Sequence, residues 1–125
     1  MRRFAADMHV HTALSPCASE EMTPPVIVAA AVDRGLAMIA ICDHNTAGNA
    51  AAVQEAAGGV IAVLAGMEIT TTEEVHVLGI FPDACTALAA GQEVCGSLPH
   101  AGQGYYRRFG EQLLMDARGQ ILGIE

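Results

Sequence analysis

The sequence predicts an α/β fold, with mainly parallel strands and flanking helices, and three observations carry that prediction. Leu36 to Cys42 is an unbroken apolar run, the pattern of a strand buried on both faces. Thr23-Pro24-Pro25 opens a helix ahead of it, and Gly35 closes that helix. An Ala-rich segment from Thr46 to about Ala57, stopped by Gly58-Gly59, leads into a second apolar run, Val60 to Ala65. With a first short strand ahead of them these segments read βαβαβ, and crossovers of that kind join parallel strands.

Each element has a local reason. Phe4 to Val10 is a short apolar stretch ending in polar residues, the first strand. Thr23 serves as N-cap, held extended by the proline after it, and Pro24 takes the first helical position. The helix runs to about Arg34, where Gly35 suits a left-handed stop. Beyond Glu68, Thr70 to Glu74 is polar and Val75 to Phe81 turns apolar again, so either a strand pair or a fourth barrel strand follows. Asp83 caps a helix from Ala84 to about Val94, and Gly96 to Gly110 reads as a loop. Gln112 to Met115 and Ile121 to Ile124 flank Asp116-Ala117-Arg118-Gly119 as a β-hairpin with Gly119 in its turn.

Length and composition bound the function. The 125 residues suit one small domain. With 52% hydrophobic and 16% charged residues, the chain has enough apolar surface to build a core. Six basic against fourteen acidic residues give −8, which argues against a basic nucleic-acid-binding surface. Every basic residue is an arginine, so P-loop, kinase and PLP Schiff-base chemistry lack their lysine. No apolar run reaches the ~18 residues of a membrane span. Asp7 interrupts the stretch behind Arg2 and Arg3 before a signal-peptide core can form, so a cytoplasmic location is expected. Cys17, Cys42, Cys85 and Cys95 form no CxxC pair and read as thiols, one of them available as a ligand.

The chemistry-bearing residues gather at strand ends. His9 and His11 follow a period of two and so share one face of a strand, with Asp7 on that face to orient an imidazole. Cys42-Asp43-His44-Asn45 closes the second strand, Gly66-Met67-Glu68 follows the third, and His76 lies in the fourth β stretch. C-terminal strand ends of a parallel α/β fold share one face, so four of the five histidines can converge there. Asp43 alone reads equally well as a capping carboxylate or as part of a metal site. An acid directly behind a buried strand is costly unless paired or metal-bound, which favours Glu68 as a ligand. Imidazoles mixed with a carboxylate suit Zn, Mn or Fe rather than Ca or Mg. Glu68 has two oxygens and can bridge two ions, so more than one metal is expected.

Asp7-x-His9-x-His11-Thr12, Asp43-His44-Asn45, Gly66-Met67-Glu68-Ile69 and Glu74-Val75-His76-Val77-Leu78-Gly79 together resemble the first three motifs of the polymerase and histidinol phosphatase (PHP) family, in order and approximate spacing over residues 5 to 82. The resemblance implies a distorted (β/α)7 barrel with up to three metals at its C-terminal face, and hydrolysis of phosphate esters by a metal-activated hydroxide. It implies that His9 and His11 hold the first metal, that Glu68 bridges it to a second bound by His76, and that His44 binds the third. Asp7 and Asp43 are the catalytic carboxylates of this reading, tuning and orienting the imidazoles. A few residues past the HxH pair the family places an Asp or His ligand; here Cys17 stands in, with Glu20 and Glu21 as alternatives.

The family's later histidine and its Asp-x-His pair have no counterpart. His100 reads as a surface histidine, and Arg107 and Arg108 as solvated loop charges. The chain therefore looks like a single, incomplete domain, the N-terminal half of such a barrel. Open strand edges and an open apolar sheet face lead to an expectation of self-association, and missing ligands to partial metal occupancy. A phosphorylated small molecule or nucleotide is the expected substrate. The rivals are a metal-binding or interaction module that does not turn over, and a barrel amidohydrolase, whose bridging lysine carbamate this chain cannot form.

Overall fold

The computed structural model describes residues 1–98 and 110–124. The elements run β1 (Ala6–Val10), α1 (Pro24–Asp33), β2 (Met38–Ile41), α2 (Ala50–Ala57), β3 (Ala62–Thr70), β4 (His76–Phe81), α3 (Ala84–Ser97), β5 (Leu113–Met115) and β6 (Ile121–Ile124). One sheet has the order β1-β2-β3-β4, and β5 pairs with β6 as a separate hairpin. β1–β2 and β2–β3 are parallel, while β3–β4 and β5–β6 are antiparallel. The mixed α/β class, the mostly parallel sheet and the C-terminal hairpin agree with the sequence reading.

Local chemistry explains the helix boundaries. Thr23 is extended at φ −81 and ψ 155 and Pro24 starts α1, yet the Thr23 side chain makes no capping bond. The proline's fixed φ is what starts this helix. Gly35 at φ +70 ends it, a conformation that costs glycine nothing. Asp83 caps α3 by accepting from the Thr86 amide at 2.7 Å.

The core lies between the sheet and the helices. Ile27 and Ala31 of α1 meet Ile39 and Ile41 of β2, Ala50, Val53 and Ala57 of α2, Ala65 and Met67 of β3, and Ala87 of α3. Ile41, Val53 and Met67 are fully buried, and burying a side chain of that size contributes ~1.5–3 kcal/mol. On the opposite sheet face Leu78 and Ile80, paired with Glu68 and Gly66, stay exposed. That open apolar face is the one the sequence analysis anticipated. No helix among the described residues is long and apolar enough to cross a membrane.

Three elements differ from expectation, and β4 takes one of the two forms the sequence left open. β3 does not stop at Ala65 but continues to Thr70, so Glu68 lies within the strand. Gly66 permits this, because a Cβ there would sit 2.7 Å from the Gly79 carbonyl oxygen of β4. β4 completes a strand pair with β3 and is not a parallel barrel strand. A tight turn makes the reversal, with the Thr71 amide donating to the Val75 carbonyl and Glu74 at φ +58. α2 begins at Ala50 rather than Thr46, since Thr46 accepts from the Gly48 amide. α3 extends to Ser97, past the expected stop. Most of the expected loop, including His100, Arg107 and Arg108, lies outside the described residues.

Candidate metal centre

The end of β1 aims two imidazoles at one point. Asp7 pairs with Ile39 and Val10 with Ile41, so three steps along β1 match two along β2 and the register is irregular there. An extra residue of this kind resets the side-chain alternation. Asp7 and Val10 consequently fall on the α1 side, lining a groove with Ile27, Ala30, Arg34 and Ile39. His9 and His11 turn to the other side, toward Glu68. This corrects the placement of Asp7: its carboxylate accepts from the His9 backbone amide at 3.1 Å and does not orient an imidazole.

β2 continues into the site beyond its last regular residue. His44 forms a parallel bridge with Glu68, the Glu68 amide donates to the Asp43 carbonyl at 2.9 Å, and the Asn45 amide returns to the Glu68 carbonyl at 2.9 Å. Asn45 then takes φ +58, a left-handed conformation that asparagine tolerates. Its Oδ1 accepts from the Thr70 amide at 3.0 Å, so the turn that carries His44 is bonded to β3 on both sides.

Glu68 is the hub. Its Oε2 lies 2.8 Å from His9 Nε2, 3.1 Å from His11 Nε2 and 3.6 Å from His44 Nε2, and its Oε1 lies 2.5 Å from His76 Nδ1. His76 reaches it from the start of β4, which the antiparallel pairing returns to the same end of the sheet. The His11 and His44 rings stack with centroids 4.9 Å apart. Burial alone would raise the Glu68 carboxyl, but bonds from His9 and His76 outweigh it and hold the group below its ordinary range. For His11 the dominant effect is burial, joined by the neighbouring His44, and it lowers the imidazole and favours the neutral ring.

Three overlapping groups of donors result. His9, His11 and Glu68 form one, His44, Glu68 and His76 a second, and His11, Cys17 and His44 a third, with ligand atoms within 4.8 Å of one another in each. The structure thus brings together His9, His11, Cys17, His44, Glu68 and His76, all named from sequence. Burial raises the free Cys17 thiol, whereas a metal ion would hold it as thiolate. The donor set fits transition metals: His9 Nε2, His11 Nε2 and Glu68 Oε2 form a triangle with sides of 2.8, 3.0 and 3.1 Å. Three electron-rich atoms at that spacing repel unless a proton or cation lies among them, and imidazole, carboxylate and thiolate are zinc, manganese and iron ligands.

Asp43 is the second correction. It is fully buried, and its Oδ1 accepts from the Thr12 amide at 2.7 Å and the Ser15 hydroxyl at 2.6 Å while its Oδ2 accepts from the Thr12 hydroxyl at 2.7 Å. Burial raises this carboxyl, opposed by the Ser15 and Thr12 donors. With both oxygens engaged by Thr12 and Ser15, Asp43 lies outside the three donor groups and braces the segments that carry His11 and His44.

Sequence reasoning missed Thr12, Ser15 and Asn49, all buried. Asn49 donates to Thr12 Oγ1 at 2.9 Å and to the Leu113 carbonyl at 2.9 Å, and accepts from the Met115 amide at 2.8 Å. With the Leu113 amide donating to the Ala13 carbonyl at 2.9 Å, the hairpin is tied to the segment that follows His11. The single asparagine inside the Ala-rich stretch from Thr46 to Ala57 was the available signal for Asn49. Nothing in the spacing marked Thr12 and Ser15.

Sheet, flanking helices and a His/Glu cluster at one end of the strands define an α/β chain with a candidate metal centre. Within that class the chain belongs to the PHP domain family, whose model matches residues 7–122. Among solved structures it is similar to a protein from Bifidobacterium adolescentis classed as a metal-dependent phosphoesterase, at 27% identity and a TM-score of 0.60, over 77% of this chain and 34% of that one. It is also similar to an amidohydrolase from Chromobacterium violaceum with bound sulfate and no metal, at 32% identity and a TM-score of 0.58, over 70% of this chain and 32% of that one. The chain thus spans about a third of the length of each. No curated protein matches it.

Proposed function

We propose that this chain carries the metal centre of a hydrolase acting on phosphate esters, with a phosphorylated small molecule or nucleotide as substrate. The observation that supports it most is the Glu68 carboxylate with four imidazoles within 2.5 to 3.6 Å of its oxygens. In this reading His9 and His11 would hold one ion with Glu68, His76 a second with Glu68, and His44 a third with Cys17. Zinc, manganese or iron bound there would lower the pKa of water toward ~7 and neutralise charge on phosphoryl oxygens. Two or three protein donors per ion would leave room for water or substrate, as catalytic sites do.

The chain's own residues set the stage for that chemistry. Glu68 stays ionised and joins two donor groups through its two oxygens. The β1 irregularity points His9 and His11 together, and the Asn45 turn fixes His44 against β3. The net charge of −8 repels a phosphate, so attraction for an anionic substrate would come from the bound ions. The four thiols are free, which suits the reducing cytoplasm proposed as its location. Exposed Leu78 and Ile80 suit self-association.

A second reading comes from the Chromobacterium neighbour: the same donors could serve amide hydrolysis. The test compares a chromogenic phosphate ester with an anilide substrate, each with added manganese, for the native chain and a His9→Ala/His44→Ala double variant. Ester hydrolysis that the double variant loses is the expected result. Equal rates for both proteins would remove the enzymatic reading and leave a metal-holding module, and turnover of the anilide alone would favour the amidohydrolase.

A further inference from the structure

We propose that Ser15 is a positioning residue of the metal centre, whose single hydroxyl fixes His11 as the Nδ1–H tautomer and at the same time anchors the backbone of His44. The inference rests on reading His11 and His44 as metal ligands, and it follows from counting protons along a buried chain of hydrogen bonds.

The chain starts at Thr12. Its Oγ1 accepts from the Leu14 amide at 3.1 Å and from Asn49 Nδ2 at 2.9 Å, which fills both lone pairs of a hydroxyl. The Thr12 proton therefore goes to Asp43 Oδ2, and that oxygen acts as an acceptor. Asp43 Oδ1 accepts the Thr12 backbone N–H, a donor that cannot reverse, at 2.7 Å. With both oxygens accepting, Asp43 is a carboxylate, and Ser15 must spend its only proton on it, at 2.6 Å. What remains on Ser15 Oγ is acceptor capacity. The His44 amide takes one share at 3.2 Å and His11 Nδ1 the other at 2.9 Å. An imidazole nitrogen facing an acceptor must carry a proton, so His11 is Nδ1–H; the proton among His9 Nε2, His11 Nε2 and Glu68 Oε2 then sits on His9, 2.8 Å from Glu68 Oε2 and 3.0 Å from His11 Nε2, and His11 Nε2 presents a lone pair.

One hydroxyl thereby does two things at once. It selects the tautomer that a metal requires before any metal arrives, and it ties the end of β2 to the segment after β1 at the point where the first and third donor groups share His11. Ser15 is 1% exposed, so water cannot readily replace it. Support of this kind behind a metal-ligating histidine is generally worth 10–100-fold in metal affinity.

The experiment reads the tautomer directly. Long-range 1H–15N spectra of the metal-free full chain, taken at about pH 8, above the ordinary imidazole pKa of ~6.5, should show His11 as Nδ1–H. Ser15→Ala should bring in the Nε2–H form and weaken zinc binding ~10–100-fold in a chelator competition, with the thermal midpoint monitored to show that the variant is folded. A native His11 in the Nε2–H form would overturn the proposal, as would a folded Ser15→Ala variant that keeps both tautomer and zinc affinity. If Ser15→Ala does not fold, the native spectrum decides alone. The tautomer is read without metal or substrate, so a chain that hydrolyses no phosphate ester can still confirm or refute it.

Discussion

Asp7 and Asp43 are two acids that look alike in sequence and that the fold treats in opposite ways, and replacing each with alanine separates their roles. Asp43→Ala removes the acceptor of three donors: the Thr12 amide, the Thr12 hydroxyl and the Ser15 hydroxyl. The Ser15 hydroxyl can turn to His11 Nδ1 once that ring moves its proton to Nε2, whereas the Thr12 amide and hydroxyl lose the acceptors the structure gives them. Leaving a buried donor unmade costs ~1–3 kcal/mol, so two of them plus a small cavity amount to ~3–5 kcal/mol, in line with removing one partner of a buried charged network. That is a large share of the ~5–15 kcal/mol of a typical domain. With a urea slope of ~2 kcal/mol/M, the midpoint of unfolding should fall by about 2 M. Asp7 is exposed and among the described residues its side chain bonds only the His9 amide, so Asp7→Ala should shift stability by less than ~0.5 kcal/mol. A midpoint for Asp43→Ala within ~0.3 M of the native chain, or equal shifts for both variants, would refute a structural role for the buried carboxylate.

Asn49→Ala should cost ~2–4 kcal/mol by orphaning the Leu113 carbonyl and the Met115 amide, with accelerated hydrogen exchange at Met115; unchanged exchange there would mean that the hairpin is held by other contacts. Gly66→Ala places a Cβ 2.7 Å from the Gly79 carbonyl oxygen, so β3 and β4 must separate and a loss of ~1–3 kcal/mol is expected in thermal unfolding. Cys17→Ser should remove zinc from the Cys17–His44 pair alone, read as one equivalent less in metal analysis while the ions held with Glu68 by His9 and His11 and by His76 are kept. For the metal-free chain the sign of the Glu68 contribution is set by its lowered pKa. Stability from its ionised form is present above the ordinary value of 4.5 and is lost as pH falls through the depressed one, so Glu68→Gln should flatten the acid limb of the stability–pH curve. A limb of unchanged steepness would count against ionised Glu68 as a partner of His9 and His76.

Much of the architecture is readable because its signals are local. Pro24 fixes a backbone angle and Gly35 and Gly58 permit the left-handed one without regard to the rest of the chain, and they mark the start of α1 and the ends of α1 and α2. Four of the six clustered donors, His9, His11, His44 and Glu68, were readable for a similar reason: polar residues at the ends of apolar runs lie near strand ends whatever the rest of the fold does, whereas Cys17 was reached only through the family resemblance and His76 through a fourth β stretch. What stayed hidden depends on pairing between strands. The irregularity that moves Asp7 away from His9 exists only in the β1–β2 register, and no residue in Asp7 to Val10 announces it. The β3–β4 turn uses Glu74 at positive φ where a glycine or asparagine would have been a signal, so the antiparallel return of His76 left no trace in composition. The network of Thr12, Ser15, Asp43 and Asn49 joins residues up to 37 positions apart through buried side chains, and short polar residues read as loop or cap until a fold brings them together.

Metal binding by His9, His11, His44 and His76 around Glu68 is the central claim. X-ray absorption at the zinc edge, on protein loaded with zinc and then desalted, tests it most directly. Retained zinc with imidazole scattering, lost together with the metal in a His9→Ala/His44→Ala/Glu68→Gln variant, is the predicted outcome. Zinc that washes out of the native chain, or that the variant retains with the same spectrum, would contradict it.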